Sequence, residues 1–321
     1  GGEYTPPAQS IGTLAERILA DNTALPDTNI DFSKISSDTN GKGLYYTNVN
    51  TEDNKTTYYF RGNVTNNYVS FAGITWRIVR INEDGSTRLI TESPVGSSAF
   101  NTKHNDNAYV GYMYGTARST TYKATHANTN NSTIKTYLDN WYQENLLSYT
   151  SYMSLDAGFC NDRSMASTAN TWNSSDKALG YGTKDTYYGA YNRLKNTKQP
   201  QFACPQTNDL FTTSTSSKGN KALTYPVGLI TYDELVFSGM DYDHVNKLAW
   251  SYSTQHYWTM SPSYFNATSG YAKEWPLSSA GCLGGWWGVD DSFGARPVIN
   301  LKSDTLITGG IGTSSDPFVV G

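Results

Sequence analysis

The sequence predicts an α+β fold, and three observations carry that expectation. Ile11, Leu14, Ala15, Ile18 and Leu19 recur at the spacing of one face of an amphipathic helix. Residues 56–92 read as strands rich in aromatic and β-branched side chains, arranged around the turn Asn82-Glu83-Asp84-Gly85. Long segments dominated by Asn, Thr, Ser, Gly and Tyr hold few aliphatic residues, so they read as loops.

Taken in order, residues 1–10 read as disordered. The first helix begins at Ile11 and is ended by Asn22 and Pro26, and polar loop follows to residue 42. Tyr58–Phe60, Tyr68–Ile74, Trp76–Ile81 and Thr87–Thr91 are the expected strands of a meander. Residues 93–130 read as surface loops. Asn131 or Ser132 caps a second helix, whose buried stripe is Ile134, Tyr137, Leu138, Trp141 and Asn145-Leu146. Residues 160–222 are irregular. Thr231-Tyr232-Asp233-Glu234 fits a capping box, in which the threonine hydroxyl and glutamate carboxylate satisfy free N–H groups reciprocally. That helix runs to about Phe237 and stops at Gly239. Tyr257–Ser261, Gly294–Leu301 and Phe318–Val320 read as strands, and residues 261–296 hold no aliphatic run fit for a core element. The expected architecture is a small antiparallel sheet with two or three helices and long loops. A tail and helix occupy residues 1–25, and a single domain follows over 26–321. Long ordered loops are entropically expensive and usually signal function.

Composition narrows the function. Charged residues make up 16% of the chain and the net charge is −4, so nothing points to nucleic acid. Folded cytosolic proteins carry about 25% charged residues. Here 25 Tyr and 8 Trp supply rigid, uncharged, hydrogen-bonding surface, as in binding loops, and the composition points outside the cell. No stretch reaches the roughly 18 apolar residues of a membrane span. The opening Gly1-Gly2-Glu3-Tyr4-Thr5-Pro6-Pro7 reads as a mature or trimmed terminus. Of three cysteines, Cys160 and Cys204 lie in similar polar, turn-rich segments and are favoured as a disulfide, leaving Cys282 over. Three buried free thiols are the alternative.

Catalytic chemistry finds little support. His104, His126, His244 and His256 lie in no nucleophile motif, and no G-x-S-x-G occurs. No catalytic residue, cofactor or metal is therefore expected. Asp290-Asp291 supply too few oxygens for calcium and read as a solvated turn. Asn208-Asp209 and Asp241-Tyr242-Asp243 read as polar turns.

Several stretches carry a family resemblance. Tyr58-Tyr59-Phe60-Arg61-Gly62, Asn66-Asn67-Tyr68-Val69, Trp76–Asn82, Gly158–Arg163 and Tyr188-Gly189-Ala190-Tyr191 resemble a domain of exported Gram-positive gut bacterial proteins. Tyr257-Trp258-Thr259-Met260-Ser261-Pro262, followed after a gap by Gly294-Ala295-Arg296-Pro297-Val298-Ile299-Asn300-Leu301, is similar to the C-terminal half of C-type-lectin-like domains of the formylglycine-generating-enzyme type. It also resembles the variable proteins of diversity-generating retroelements. In those proteins a lectin-like frame holds a C-terminal window that is mutated at adenines. Some relatives carry a pilin-like leader. The resemblance covers roughly residues 11–320.

It implies a ligand-binding window over about 261–296. The expected contacts are Tyr264, Asn266, Thr268, Tyr271, Lys273, Trp275, Trp286, Trp287, Asp290, Asp291 and Ser292. Of the adjacent Trp286 and Trp287, one is expected to pack inward and one to face out. Arg296 reads as a frame residue, pairing with backbone or a carboxylate under the loops. The expected protein is an adhesin or receptor-binding module at the cell surface, meeting a protein or glycan on another cell, a phage or a host. One alternative is a structural pilin or surface-layer subunit, with the window as a polymer interface. The other is a formylglycine-type enzyme, which needs a second cysteine near Cys282. A Cys282–His256 site is a variant of that last reading.

Overall fold

Two β-sheets share one apolar core in a computed structural model that describes residues 11–38, 40–166, 185–285 and 287–321. The expected disorder of residues 1–10 therefore lies outside the described residues. The larger sheet orders its strands as Leu25–Pro26, Leu44–Thr47, Thr57–Phe60, Ile74–Ile81, Tyr68–Phe71, Phe318–Val320 and Ile307–Gly309. Thr87–Thr91 adds to Ile74–Ile81, and Val298–Leu301 adds to Thr87–Thr91. The second sheet runs Thr186–Tyr187, Tyr257–Asn266, Ser292–Ala295 and Gly96–Ala99, with Tyr271–Leu277 paired to Tyr257–Asn266. The architecture is thus α+β. However, the larger sheet has nine strands among the described residues, not a few, and includes parallel pairs. Among the same residues no helix is long and apolar enough to cross a membrane.

The local signals behave as their chemistry requires. Thr13 caps the helix Leu14–Asp21, its hydroxyl accepting from the Glu16 amide, and Leu14 and Ile18 reach the core. Ile11 precedes that cap and stays half exposed, so the apolar stripe is narrower than its spacing suggested. Ser132 caps Thr133–Asn145. Ile134, Leu138 and Leu146 are buried, whereas Tyr137 and Trp141 are only partly so. The turn at Asn82–Gly85 closes the expected hairpin.

Four expectations need correction. Tyr68–Ile74 is not one strand: Ala72 and Gly73 both take positive φ (54° and 72°), so the chain reverses there and Ile74 starts the next strand. Residues 93–130 are not merely surface loops, since Phe100, Val110, Tyr112 and Thr125 are fully buried. The 261–296 window does hold a core element, the strand Tyr271–Leu277, which buries Ala272, Trp275 and Leu277. Gly294–Leu301 is two strands: Ser292–Ala295 pairs Gly96–Ala99 in one sheet, and Val298–Leu301 pairs Thr87–Thr91 in the other. Pro297, lacking an N–H, sits where the chain changes sheets. Arg296 braces that crossing. It donates to the carbonyls of Thr91, Glu92 and Ser251 and lies over the Tyr257 ring, in line with its expected frame role.

The helix Tyr232–Phe237 lies between the two sheets. Its capping box is complete: the Thr231 hydroxyl accepts from the Glu234 amide, and the Glu234 carboxylate accepts from the Thr231 amide. The same carboxylate receives Arg80 at 3.1 Å and Arg88 at 2.8 Å from the larger sheet. Burial works to raise the Glu234 carboxyl. The two guanidiniums and the Thr231 amide outweigh it and hold the carboxyl below its usual range. On the helix's other side the Tyr232 amide donates to Ser261 Oγ and the Tyr232 ring stacks on Trp275 of the second sheet.

Cys160 and Cys204 form a disulfide across a sequence separation of 44. Unlinking a loop of that length costs about 4 kcal/mol by chain entropy. Urea unfolding of a Cys160→Ser/Cys204→Ser double variant is expected to reveal a loss near that size. Glu234→Gln leaves two buried guanidiniums under-compensated and is expected to cost about 3–5 kcal/mol. Thr231→Ala removes one cap acceptor and costs about 1 kcal/mol in the same assay.

Candidate functional site

The hairpin of Tyr257–Asn266 and Tyr271–Leu277 has two different faces. Its register is irregular on either side of Pro262. Trp258, Met260, Phe265, Ala272, Trp275 and Leu277 turn into the core. Tyr264 and Lys273 are cross-strand partners, as are Asn266 and Tyr271, and all four are partly exposed. The tip, Ala267 to Ser269, is exposed and held by short polar contacts. Asn266 Oδ1 accepts from the Ser269 amide, and Asp185 accepts from the Ala267 amide.

Three aromatic groups support this face. Tyr264 stacks on Tyr187 at 4.3 Å, and Tyr187 packs on Tyr191 at 4.6 Å. Tyr191 in turn lies parallel to Trp275, which Tyr242 meets edge-on. In the second group, Tyr271 stacks on His104 at 4.1 Å and donates its hydroxyl to Asp290. In the third, Trp287 packs edge-on against His256 and Phe293, and Phe293 packs on the buried Trp258. In each group a partly exposed ring is fixed by rings behind it, so little side-chain entropy remains to be lost on contact with a ligand.

The electrostatics follow from burial. Burial, together with the neighbouring Tyr187 and Asp185, pushes the Tyr264 phenol upward. The Tyr271 phenol is raised by its bond to the Asp290 carboxylate, which holds its proton. Desolvation lowers the Lys273 ammonium, with Asp291 working the other way. His256 is lowered by burial alone.

Most of the expected contacts converge. Tyr264, Asn266, Thr268, Tyr271 and Lys273 lie on the hairpin, and Trp287, Asp290, Asp291 and Ser292 on the segment packed beside it, bridged by Lys273 and Gly288. Trp275 is withdrawn from the surface: it has 0% exposure and is sandwiched between Tyr191 and Tyr232, so no external ligand reaches it. Trp286 lies outside the described residues. His104, Tyr187, Tyr191 and Tyr242 were missed. Tyr188–Tyr191 carries the resemblance, but nothing in the local sequence ties these rings to a hairpin so far along the chain. The two expected polar turns, Asn208-Asp209 and Asp241-Tyr242-Asp243, also carry buried ion pairs. Asp209 is buried against Arg163 at 2.7 Å, burial pushing its carboxyl up to about 6, and Asp241 is buried between Lys198 and His244.

Other candidate chemistry is limited. Cys160 and Cys204 are bonded to each other, so Cys282 has no second cysteine to pair with. Its sulfur lies near Ser278 Oγ at 3.8 Å, and the His256 Nδ1 accepts from the Ser279 amide. Among the described residues no group of three or more His, Cys, Asp or Glu side chains could hold a metal ion. A cavity of about 60 Å³ is lined by Arg80, Arg88 and Glu234 and by none of the hairpin rings. Arg80, Arg88, Glu234 and Glu83 in its lining pair with one another. No protein-family model matches the chain, and no curated protein or solved structure matches it significantly.

The division between floor and surface is testable by unfolding. Trp275→Ala empties a fully buried site and is expected to cost about 3–5 kcal/mol. Tyr271→Phe loses only an exposed hydrogen bond and is expected to stay within about 0.5 kcal/mol of the parent.

Proposed function

We propose that this chain is an exported, surface-displayed ligand-binding protein with a C-type-lectin-like fold, whose 261–296 window meets a protein or a glycan. One observation carries the reading: Tyr264, Tyr271 and Trp287 each present a partly open ring packed against at least one other ring. Rigid amphipathic rings of this kind anchor protein partners and stack on sugars. Asn266, Thr268, Lys273, Asp290, Asp291 and Ser292 surround them with adaptable polar groups. The formylglycine-type alternative finds no support here, because the other two cysteines are bonded to each other and not to Cys282.

A retroelement-diversified window extends this proposal. It predicts that codons 260–300 vary among strains at adenines only, beside a near-copy of that stretch and a reverse transcriptase gene. Sequencing of the locus tests it, and invariant codons reject diversification while leaving a fixed adhesin in place. Binding is tested on a printed glycan panel and a panel of purified cell-surface proteins. Tyr264→Ala, Tyr271→Ala and Trp287→Ala are each expected to weaken capture about tenfold or more, or ~1.4 kcal/mol, with the fold retained. Capture unchanged in all three rejects this site. Concentration-dependent polymers that bury the three rings support the structural-subunit alternative instead.

A further inference from the structure

Glu274 stands on the same strand as Tyr271 and Lys273 but points inward. It has 0% exposure, and neither carboxyl oxygen has a hydrogen-bond partner. Its cross-strand partner is Pro262, and the hydroxyl of the next residue, Ser263, is likewise buried and without a partner. The helical turn Asn107–Val110 packs over this strand. A carboxylate sealed in such a place, with no counter-ion among the described residues, is disfavoured when charged, so the neutral acid suits the closed structure.

Among the described residues, the surrounding groups do not supply a counter-charge. The guanidinium of Arg163 favours ionisation of Glu274 from a distance, but its donors are taken by Asp209, Asn128 and the carbonyls of Met113 and Asn208. Tyr188, which senses Glu274, donates its hydroxyl to Asn107. Asp106, at the start of the packed turn, is occupied by the Ala108 and Arg118 amides, and Tyr122 donates to the Arg163 carbonyl. Lys273, next along the strand, projects to the opposite, partly exposed side with Asp291.

We propose that Glu274 is a proton-operated latch under the hairpin: uncharged, it lets Tyr271–Leu277 close onto Asn107–Val110, and ionised, it drives that strand open. The latch governs the order of the hairpin whether or not the hairpin binds a ligand. Burial raises the Glu274 carboxyl well above its usual range. The sign follows from linkage. An opened strand gives up its proton near about pH 4.3, like free glutamate, whereas the closed strand retains it to higher pH. Closure is therefore at full strength below the free value and is lost as pH rises through the higher, closed-state value.

Hydrogen exchange of the Ala272–Leu277 amides between pH 5 and 9, corrected for intrinsic base catalysis, tests this. Protection in the parent is expected to fall by up to about tenfold per pH unit. In Glu274→Gln, and in Glu274→Met as an isovolumetric apolar control, the fall is expected to vanish. Equal pH dependence in the parent and in whichever variant folds overturns the proposal. A second measurement needs no variant: isotope-edited infrared spectra of the parent are expected to show a protonated glutamic acid at pH 6. A fully ionised set of glutamates at that pH also overturns it.

Discussion

The Glu234 carboxylate is the point from which the rest of the structure is held. It closes the start of the helix Tyr232–Phe237 and receives Arg80 and Arg88 from the larger sheet. Arg61 completes the other end of the helix by donating to the carbonyls of Val236 and Phe237. The helix is six residues long, too short to persist by its own backbone bonds. It is fixed by what it touches. One side is tied to the larger sheet by ions, and the other meets the second sheet through Tyr232, Ser261 and Trp275. Buried ions of this kind are a weak source of net stability, but their fixed directions make them a strong constraint on how two layers meet.

From that constraint the floor of the hairpin follows. Trp275 is pressed between Tyr232 and Tyr191, so its strand cannot slide without breaking two stacked contacts. The crossing at Arg296-Pro297 secures the other flank, with the guanidinium bonded to three backbone carbonyls instead of a carboxylate. The partly exposed rings of Tyr264, Tyr271 and Trp287 thus stand on a frame whose polar and aromatic supports come from distant parts of the chain. Glu274 is the exception in this frame. It is a titratable group with no hydrogen-bond partner among the described residues, and it points inward from the strand that carries the partly exposed Tyr271 and Lys273.

Much of the scaffold was legible because its signals are local. A threonine before a helix finds its amide three residues on, as Thr231 does, and an Asn-Glu-Asp-Gly turn closes on itself. The interior of the 261–296 stretch was not legible. Composition marks residues 261–296 as polar and aromatic, but strand burial depends on what lies opposite, and the rings behind Tyr264 come from residues 187 and 191. Ala72 hid a turn because alanine rarely takes positive φ, and nothing in its own chemistry announces that conformation.

By itself the sequence determined the α+β class, the capping box at Thr231 and the hairpin at Asn82–Gly85, and it favoured the pairing of Cys160 with Cys204, since each rests on nearby residues or on a choice among three cysteines. The strands of residues 56–92 do not pair in chain order, because Thr57–Phe60 pairs with Ile74–Ile81 and not with Tyr68–Phe71. Only the tertiary structure decided that Trp275 is floor and not surface, that one apparent strand changes sheets at Pro297, and that Glu274 is buried with no hydrogen-bond partner among the described residues. The physical reason is common to all three. Exposure, pairing and charge are properties of a side chain's neighbours, and those neighbours are brought together by the fold, not by the order of residues along the chain.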